Sequence, residues 1–294
     1  MNLSALKNVF LHPSNQGSLF LTLCRVLWWK FNQIFFDFPV IYQLTKSIKI
    51  ICEPSSSYGS FIVYARFPEH EEMEFIHSYL QPKDVMIDVG ANIGAISLLA
   101  ADKITHGKIF AFEPTPSVAN KLKLNVRLNG LENIIACFVQ AVSNKNGFLH
   151  FKIEGQSEVN HIVNSSTKGD SKDIIKVSST TLDTFVKNNN LKQVDLLKID
   201  VEGAEQSVFD GAKTSLSKHV ISVIVFEANP KMKKYGTSSK KLISFIQQYG
   251  YSVFAFSKDK LLPLKDVSDF KGTVNLVAVA PTPSIKKRLS KLLG

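Results

Sequence analysis

Acids and glycines set at the ends of apolar runs are the residues of this sequence best suited to chemistry. Val85 to Val89 is an apolar run that holds Asp88, and Gly90-Ala91-Asn92-Ile93-Gly94 follows it directly. The run reads as a buried parallel strand, and the two glycines let the chain turn sharply so that a ligand can lie against bare backbone. A helix starting near Ile96 then offers its free N-terminal amides at the carboxyl edge of that strand. Glu113 ends a second strand about 20 residues further on, where a carboxylate accepts hydrogen bonds from both hydroxyls of a ribose.

A nicotinamide dinucleotide and S-adenosylmethionine both present such a ribose. The loop distinguishes them. Its G-x-x-x-G spacing lacks the G-x-G-x-x-G arrangement that brings a pyrophosphate onto backbone amides. Asp88 would repel a pyrophosphate but suits the cationic amino-acid end of S-adenosylmethionine. The competing reading makes Asp88 a loop cap and Glu113 a solvated strand end. Asp200 and Glu202 stand just past a fourth strand, at the edge where acceptor and methyl donor would meet. A carboxylate at that edge can remove a proton from an aligned acceptor, so Asp200 is the first candidate base, with Glu202 orienting. His161 is a second candidate, carried on an inserted segment between Gly155 and Lys172. Glu227 and Asn229 close a fifth strand at the same edge, and with Asp200 they offer an alternative all-oxygen Mg²⁺ set, although spacing alone assigns no metal. Lys198 lies inside the fourth strand and must meet Asp200 or another carboxylate.

Alternating strands and helices position these residues. Strands are expected at Ser60 to Arg66, Val85 to Val89, Ile109 to Glu113, Ile134 to Ala141, Leu196 to Asp200, Ile221 to Glu227, Tyr251 to Ser257 and Val274 to Ala280. Helices are expected at Glu69 to Leu80, from Ile96, and at Ser117 to Leu128, Leu182 to Asn188, Glu205 to Leu216 and Ser239 to Tyr249. The order predicts a doubly wound α/β domain: a mostly parallel Rossmann-like sheet covered on both faces, with the last two strands antiparallel at its edge. The domain spans 54–281. It is preceded by an aromatic helical extension over 1–53 and followed by a basic tail over 282–294.

Several separated runs together resemble the FkbM-type S-adenosylmethionine-dependent methyltransferases, members of class I. They are Ile87 to Gly94, Phe112-Glu113-Pro114, Gln140-Ala141-Val142-Ser143, Thr181-Leu182-Asp183 and, above all, Leu197-Lys198-Ile199-Asp200-Val201-Glu202-Gly203-Ala204-Glu205. The resemblance covers about Tyr64 to Pro230 in the order of the wound sheet. It implies S-adenosylmethionine as cofactor and transfer to a hydroxyl of a sugar, glycoconjugate or secondary metabolite. Position by position, Asp88, Gly90, Asn92 and Gly94 would surround the methionine part, Glu113 would hold the ribose, and Gln140 and Ala141 would lie along the adenine.

Composition narrows the remaining classes. The chain has 294 residues, 45% of them hydrophobic and 20% charged, which suits one folded domain with attachments. Three scattered cysteines suggest neither a disulfide framework nor a zinc site, and favour the cytoplasm. A net charge of +10 draws the chain toward anionic partners. No basic run is interleaved with aromatics, and Asp200-Val201-Glu202-Gly203 stands where nucleic-acid amine methyltransferases carry D/N-P-P-aromatic, so no nucleic acid is expected. A nicotinamide oxidoreductase is disfavoured by the glycine spacing, and a non-catalytic scaffold by the retained acids. The expected partner is a small-molecule or glycan acceptor. Leu19 to Leu44, rich in Phe, Trp, Leu and Ile, is interrupted by Arg25, Lys30 and Asp37, and so is too broken to span a bilayer. Two readings stand for it: a helix packed on the domain, or a helix lying on an anionic membrane surface.

Overall fold

The computed structural model describes residues 3–17, 19–152, 161–163, 174–258, 260–264, 270, 272–290 and 292–293. Helices α1 (Leu3–Leu11) and α2 (Leu19–Phe35) lead into an antiparallel hairpin, β1 (Val40–Gln43) and β2 (Lys49–Cys52), with Val40 opposite Cys52. The hairpin falls inside a segment read from sequence as helical. It begins just after Pro39, whose predecessor is biased toward extended backbone. Helices α3 (Ser57–Ala65) and α4 (His70–Tyr79) follow.

α3 corrects the strand expected at Ser60 to Arg66. Ser56 caps it by accepting from Gly59 N at 2.7 Å, and Arg66 ends it in a conformation with φ +63°. Ile62, Val63, Tyr64 and Ala65 are all buried, so side chains on every face of the last turn meet the core, and neither a helical nor a strand period is visible there.

The wound domain then runs β3 (Val85–Val89), α5 (Ala95–Ala101), β4 (Lys108–Phe112), α6 (Pro116–Leu128) and β5 (Ile135–Phe138). Beyond it come β6 (Ala141–Val142), β7 (Gly147–Lys152), β8 (His161–Val163), β9 (Ile174–Thr180), α7 (Leu182–Asn188) and β10 (Val194–Ile199). The expected third strand therefore breaks at Gln140, because Ala141 and Val142 leave the main sheet to pair in parallel with Ser179 and Thr180. These residues belong to a second sheet of order β6-β9-β7-β8.

Helices α8 (Glu205–Asp210) and α9 (Lys213–Ser217) replace the single helix expected over 205–216. They part at Gly211, where an added Cβ would stand 2.1 Å from the Ser143 carbonyl oxygen. β11 (Ile221–Ala228), α10 (Ser239–Gln248), β12 (Ser252–Ser257), β13 (Lys260–Pro263), β14 (Val274–Val279) and α11 (Pro283–Leu289) complete the chain.

The main sheet has the order β13-β12-β14-β11-β10-β3-β4-β5. β11, β10, β3, β4 and β5 are parallel. β14 is antiparallel to both β11 and β12 and lies between them, so the expected antiparallel strand is present but inserted, with β13 outside it. The chain winds outward from β3 through β4 to β5 and then returns to β10 on the other side of β3. The carboxyl ends of β3 and β10 thus flank the point where strand order reverses, the place at which open α/β sheets bind ligands.

One core continues through the extension and the tail. Trp29, Leu44 and Ile50 are buried in it alongside the central strands, and so are Ile285 and Leu289 of α11. The described parts of the N-terminal extension and of the C-terminal tail are therefore docked on the fold. Arg288 of α11 stacks 3.9 Å from the Tyr79 ring and pairs with Asp84. Asn125 of α6, itself buried, accepts from Ile51 N at 2.8 Å and donates to Ile93 O at 2.9 Å, so one side chain ties the hairpin to the glycine loop.

Candidate functional site

The loop after β3 is shaped by close backbone approach. Gly90 has φ +84°, and a Cβ there would lie 1.8 Å from the Asp200 carbonyl oxygen. Only glycine allows the ends of β3 and β10 to meet in this way. Gly90 N and Ala91 N donate to Phe112 O at 3.0 and 2.9 Å, while Asp200 N donates to Val89 O at 2.9 Å. Gly94, at φ +95°, starts α5, and a Cβ there would stand 2.5 Å from Leu122 Cδ1. Asn92 takes a positive φ as well, with its Oδ1 accepting from Ile93 N at 2.7 Å.

A cleft opens above these strand ends. Asp88, Gly90, Asn92, Glu113, Gln140 and Ala141 line it, and so do Asp200 and Glu202. The structure thus brings together all the site residues named from sequence except Gly94, which stays behind the loop as a packing residue, and His161. His161 belongs to β8, opposite Lys152, and its side chain lies outside the described residues.

Each acid of the cleft is held differently. Glu113 accepts from Asn92 N at 3.2 Å and from Thr115 N at 2.9 Å, so it pins the glycine loop to the next helix start. Burial pushes its carboxyl up to about 7, against the two backbone donors that favour the anion. Asp88 accepts from Ser97 Oγ at 2.6 Å through Oδ2, while its buried Oδ1 has no partner among the described residues. Burial raises Asp88 too, and the Lys198 charge opposes the rise.

Lys198 is buried at the floor of the cleft, 2.9 Å from Asp200 Oδ2 and 3.7 Å from Glu72 Oε1. Burial works against its charge, yet Asp200, Glu72, Asp88 and Glu69 together hold the ammonium well above its ordinary range. Burial lifts Glu72 to about 8 even with Lys198 beside it. Tyr58 of α3 donates to Glu69 Oε2 at 3.0 Å and reaches the cleft wall. Sequence reasoning missed Tyr58, Glu69 and Glu72. The acids lie on a helix with no motif of its own, and only the need of buried Lys198 for counter-charge pointed toward them.

Asp200, Glu205 and Glu227 form a second group, each presenting a carboxylate oxygen within 4.8 Å of the others'. Glu205 folds back to accept from Gly203 N at 3.0 Å and Val201 N at 3.2 Å, while its Oε2 is buried and unpartnered among the described residues. Burial raises Glu205 to about 7. Glu227 is raised to about 7 by burial and then by the Asp200 charge. Glu205 thus takes the place in this trio that sequence gave to Asn229. Asn229 donates to Glu227, and its Oδ1 accepts from Lys231 N at 2.9 Å, so it caps the turn that follows β11. Glu202 pairs with Lys231 at the cleft rim.

A family model described as the methyltransferase FkbM domain matches residues 88–253, more than half of the chain, and takes in every strand end that borders this cleft. The chain belongs to the FkbM methyltransferase family. Among relatives of this FkbM methyltransferase, Methyltransferase 1 of Beauveria bassiana is 28% identical over 51% of this chain and 72% of its own. The 2-O-methyltransferase NoeI of Sinorhizobium fredii is 26% identical over 47% of this chain and 61% of its own. Hexuronic acid methyltransferase AglP of Haloferax volcanii is 24% identical over 50% of this chain and 58% of its own. The FkbM chain therefore spans little more than half to about three quarters of these relatives' lengths. Its fold is that of class I methyltransferases and its cofactor is S-adenosylmethionine. The cleft fits that cofactor: Asp88 keeps a buried oxygen free for a cationic group, and Gln140 keeps an amide with no partner among the described residues.

Proposed function

We propose that this FkbM methyltransferase methylates a hydroxyl oxygen of a sugar or glycoconjugate, with Asp200 as the base. The observation that carries the reading is the state of Asp200. Its side chain is 34% exposed at the cleft, with Lys198 at 2.9 Å on Oδ2 and the raised Glu205 and Glu227 behind it. Oδ2 is committed to Lys198, which leaves Oδ1 to receive a proton from an incoming hydroxyl. The name of NoeI, a 2-O-methyltransferase, supports transfer to oxygen, and that of AglP, a hexuronic acid methyltransferase, supports a carbohydrate acceptor.

S-adenosylmethionine, when bound, supplies a methyl group already activated by its sulfonium. The chain's own residues then have three tasks. Glu113 and Gln140 hold the nucleoside, and the free oxygen of Asp88 meets the cationic amino-acid end. Asp200 takes the hydroxyl proton as the acceptor oxygen bonds the methyl carbon and the sulfur–carbon bond breaks. Lys198 keeps Asp200 in place, with Glu72 Oε1 3.7 Å from the same ammonium.

Incubation of the chain with isotopically labelled methyl donor and a panel of glycans, followed by mass spectrometry, tests this reading. Gain of one labelled methyl on a sugar oxygen is the expected result. Label appearing only on nitrogen or carbon acceptors would overturn it.

A further inference from the structure

α2 has two faces of opposite character. Thr22, Val26, Trp29 and Asn32 are buried, and Trp29 donates from Nε1 to Ser60 Oγ of α3 at 2.9 Å. The other face is apolar and open to water: Phe20 is 75% exposed, Ile34 72% and Trp28 50%. Among the large hydrophobic side chains exposed in the described residues, all but Leu11, Leu124, Phe148 and Leu262 lie between Leu19 and Ile41. A contiguous apolar surface of this kind marks an interaction site.

Beside it lies a groove that Leu21, Trp28, Tyr42, Arg25 and Arg66 help to line. Arg25 is half-buried and held by neutral oxygens alone: Asn15 Oδ1 at 2.6 Å, Thr22 Oγ1 at 3.0 Å and the Tyr42 hydroxyl at 3.3 Å. Its Nε is buried without a partner, and no carboxylate answers its charge among the described residues. Arg66, exposed where the chain leaves α3, has no side-chain partner among them either. Two guanidinium groups without a counter-anion call for an anion, and the adjoining face calls for hydrocarbon.

A single occupant meets both demands. We propose that this face docks on an anionic phospholipid surface, with a lipid phosphate taken between Arg25 and Arg66 and the exposed aromatic side chains of α2 in the acyl boundary. The helix has 17 residues and no described helix is long and apolar enough to cross a membrane, so α2 lies in the plane of the interface. Charge argues against a second copy of the chain as the occupant. A closed two-fold contact would set arginines against arginines, with Asp37 the one acid between Leu19 and Ile41 to answer them, on a chain of net charge +10. An anionic membrane attracts the same charge.

Flotation of the full chain with two kinds of vesicle tests the proposal: phosphatidylcholine alone, and phosphatidylcholine mixed with phosphatidylglycerol. Binding is expected to the mixed vesicles and to weaken with added salt. Arg66→Gln should lower partitioning about fivefold. Trp28→Ser combined with Phe35→Ser should lower it about tenfold or more. Calorimetric binding of S-adenosylmethionine, unchanged in both variants, verifies that they fold. Four outcomes would overturn the proposal: no flotation of the wild-type chain, equal flotation with neutral vesicles, a dimer that the double variant dissolves, or inorganic phosphate binding lost in Arg66→Gln without any flotation.

Discussion

Lys198 and Arg25 are both cations withdrawn from water, and the fold treats them in opposite ways. Lys198, on the floor of the cleft, is ringed by the carboxyl groups of Asp200, Glu72, Asp88 and Glu69. Arg25, beside the exposed face of α2, meets only neutral oxygens. A cation that its own fold neutralises belongs to an internal apparatus, positioned before any ligand arrives. A cation left unanswered makes its demand on something outside the chain. The cleft therefore holds its lysine with acids of its own, whereas the N-terminal face, on the reading proposed above, takes its counter-charge from outside the chain.

Substitutions can break this contrast at several strengths. Gly90→Ala should be the most severe, because its Cβ would collide with the Asp200 carbonyl oxygen in a left-handed conformation. A loss of about 4 kcal/mol or more is expected in denaturant unfolding, or failure to fold. Trp29→Ala comes next. It empties a fully buried site and should cost about 3–5 kcal/mol by the same measurement. If it costs much less, α2 is not part of the core.

Asp200→Asn should leave calorimetric binding of S-adenosylmethionine in place while turnover falls about 10²- to 10⁴-fold. Unchanged turnover would remove Asp200 as the base. A milder effect is expected from pH. Glu227 loses its proton near pH 7, and its charge beside Asp200 then deepens the negative potential that draws the acceptor proton. Turnover should rise through that range, and less steeply in Glu227→Gln, as a pH–rate profile would read. Trp28→Ala should do least: stability within about 0.5 kcal/mol of wild type and unaltered turnover on a water-soluble acceptor. The adjacent tryptophans thus distinguish the two faces of one helix.

The parts of the molecule legible in the sequence are those where a strand end fixes a residue's place. Asp88, Glu113 and Asp200 each close a buried run, and parallel pairing in register carries all three to one edge. Glu69, Glu72 and Tyr58 were not legible, since tertiary packing alone brings Tyr58 to the cleft wall and the two acids near Lys198. Ser60 to Arg66 misled for a related reason. A helix buried on nearly every side has no polar face to reveal its period. The break at Gln140 is set by pairing with β9, almost forty residues further along the chain, which no local pattern encodes.

Asn125 has a consequence for anyone who trims this enzyme. Its carboxamide joins the hairpin strand β2 to the glycine loop after β3, and Trp29, Leu44 and Ile50 share the core with the central strands. A version cut at Pro54 would keep the whole family match. It would also open those three pockets to water and leave the donor loop with one anchor fewer. The smallest portable form of this fold therefore includes α2 and the hairpin.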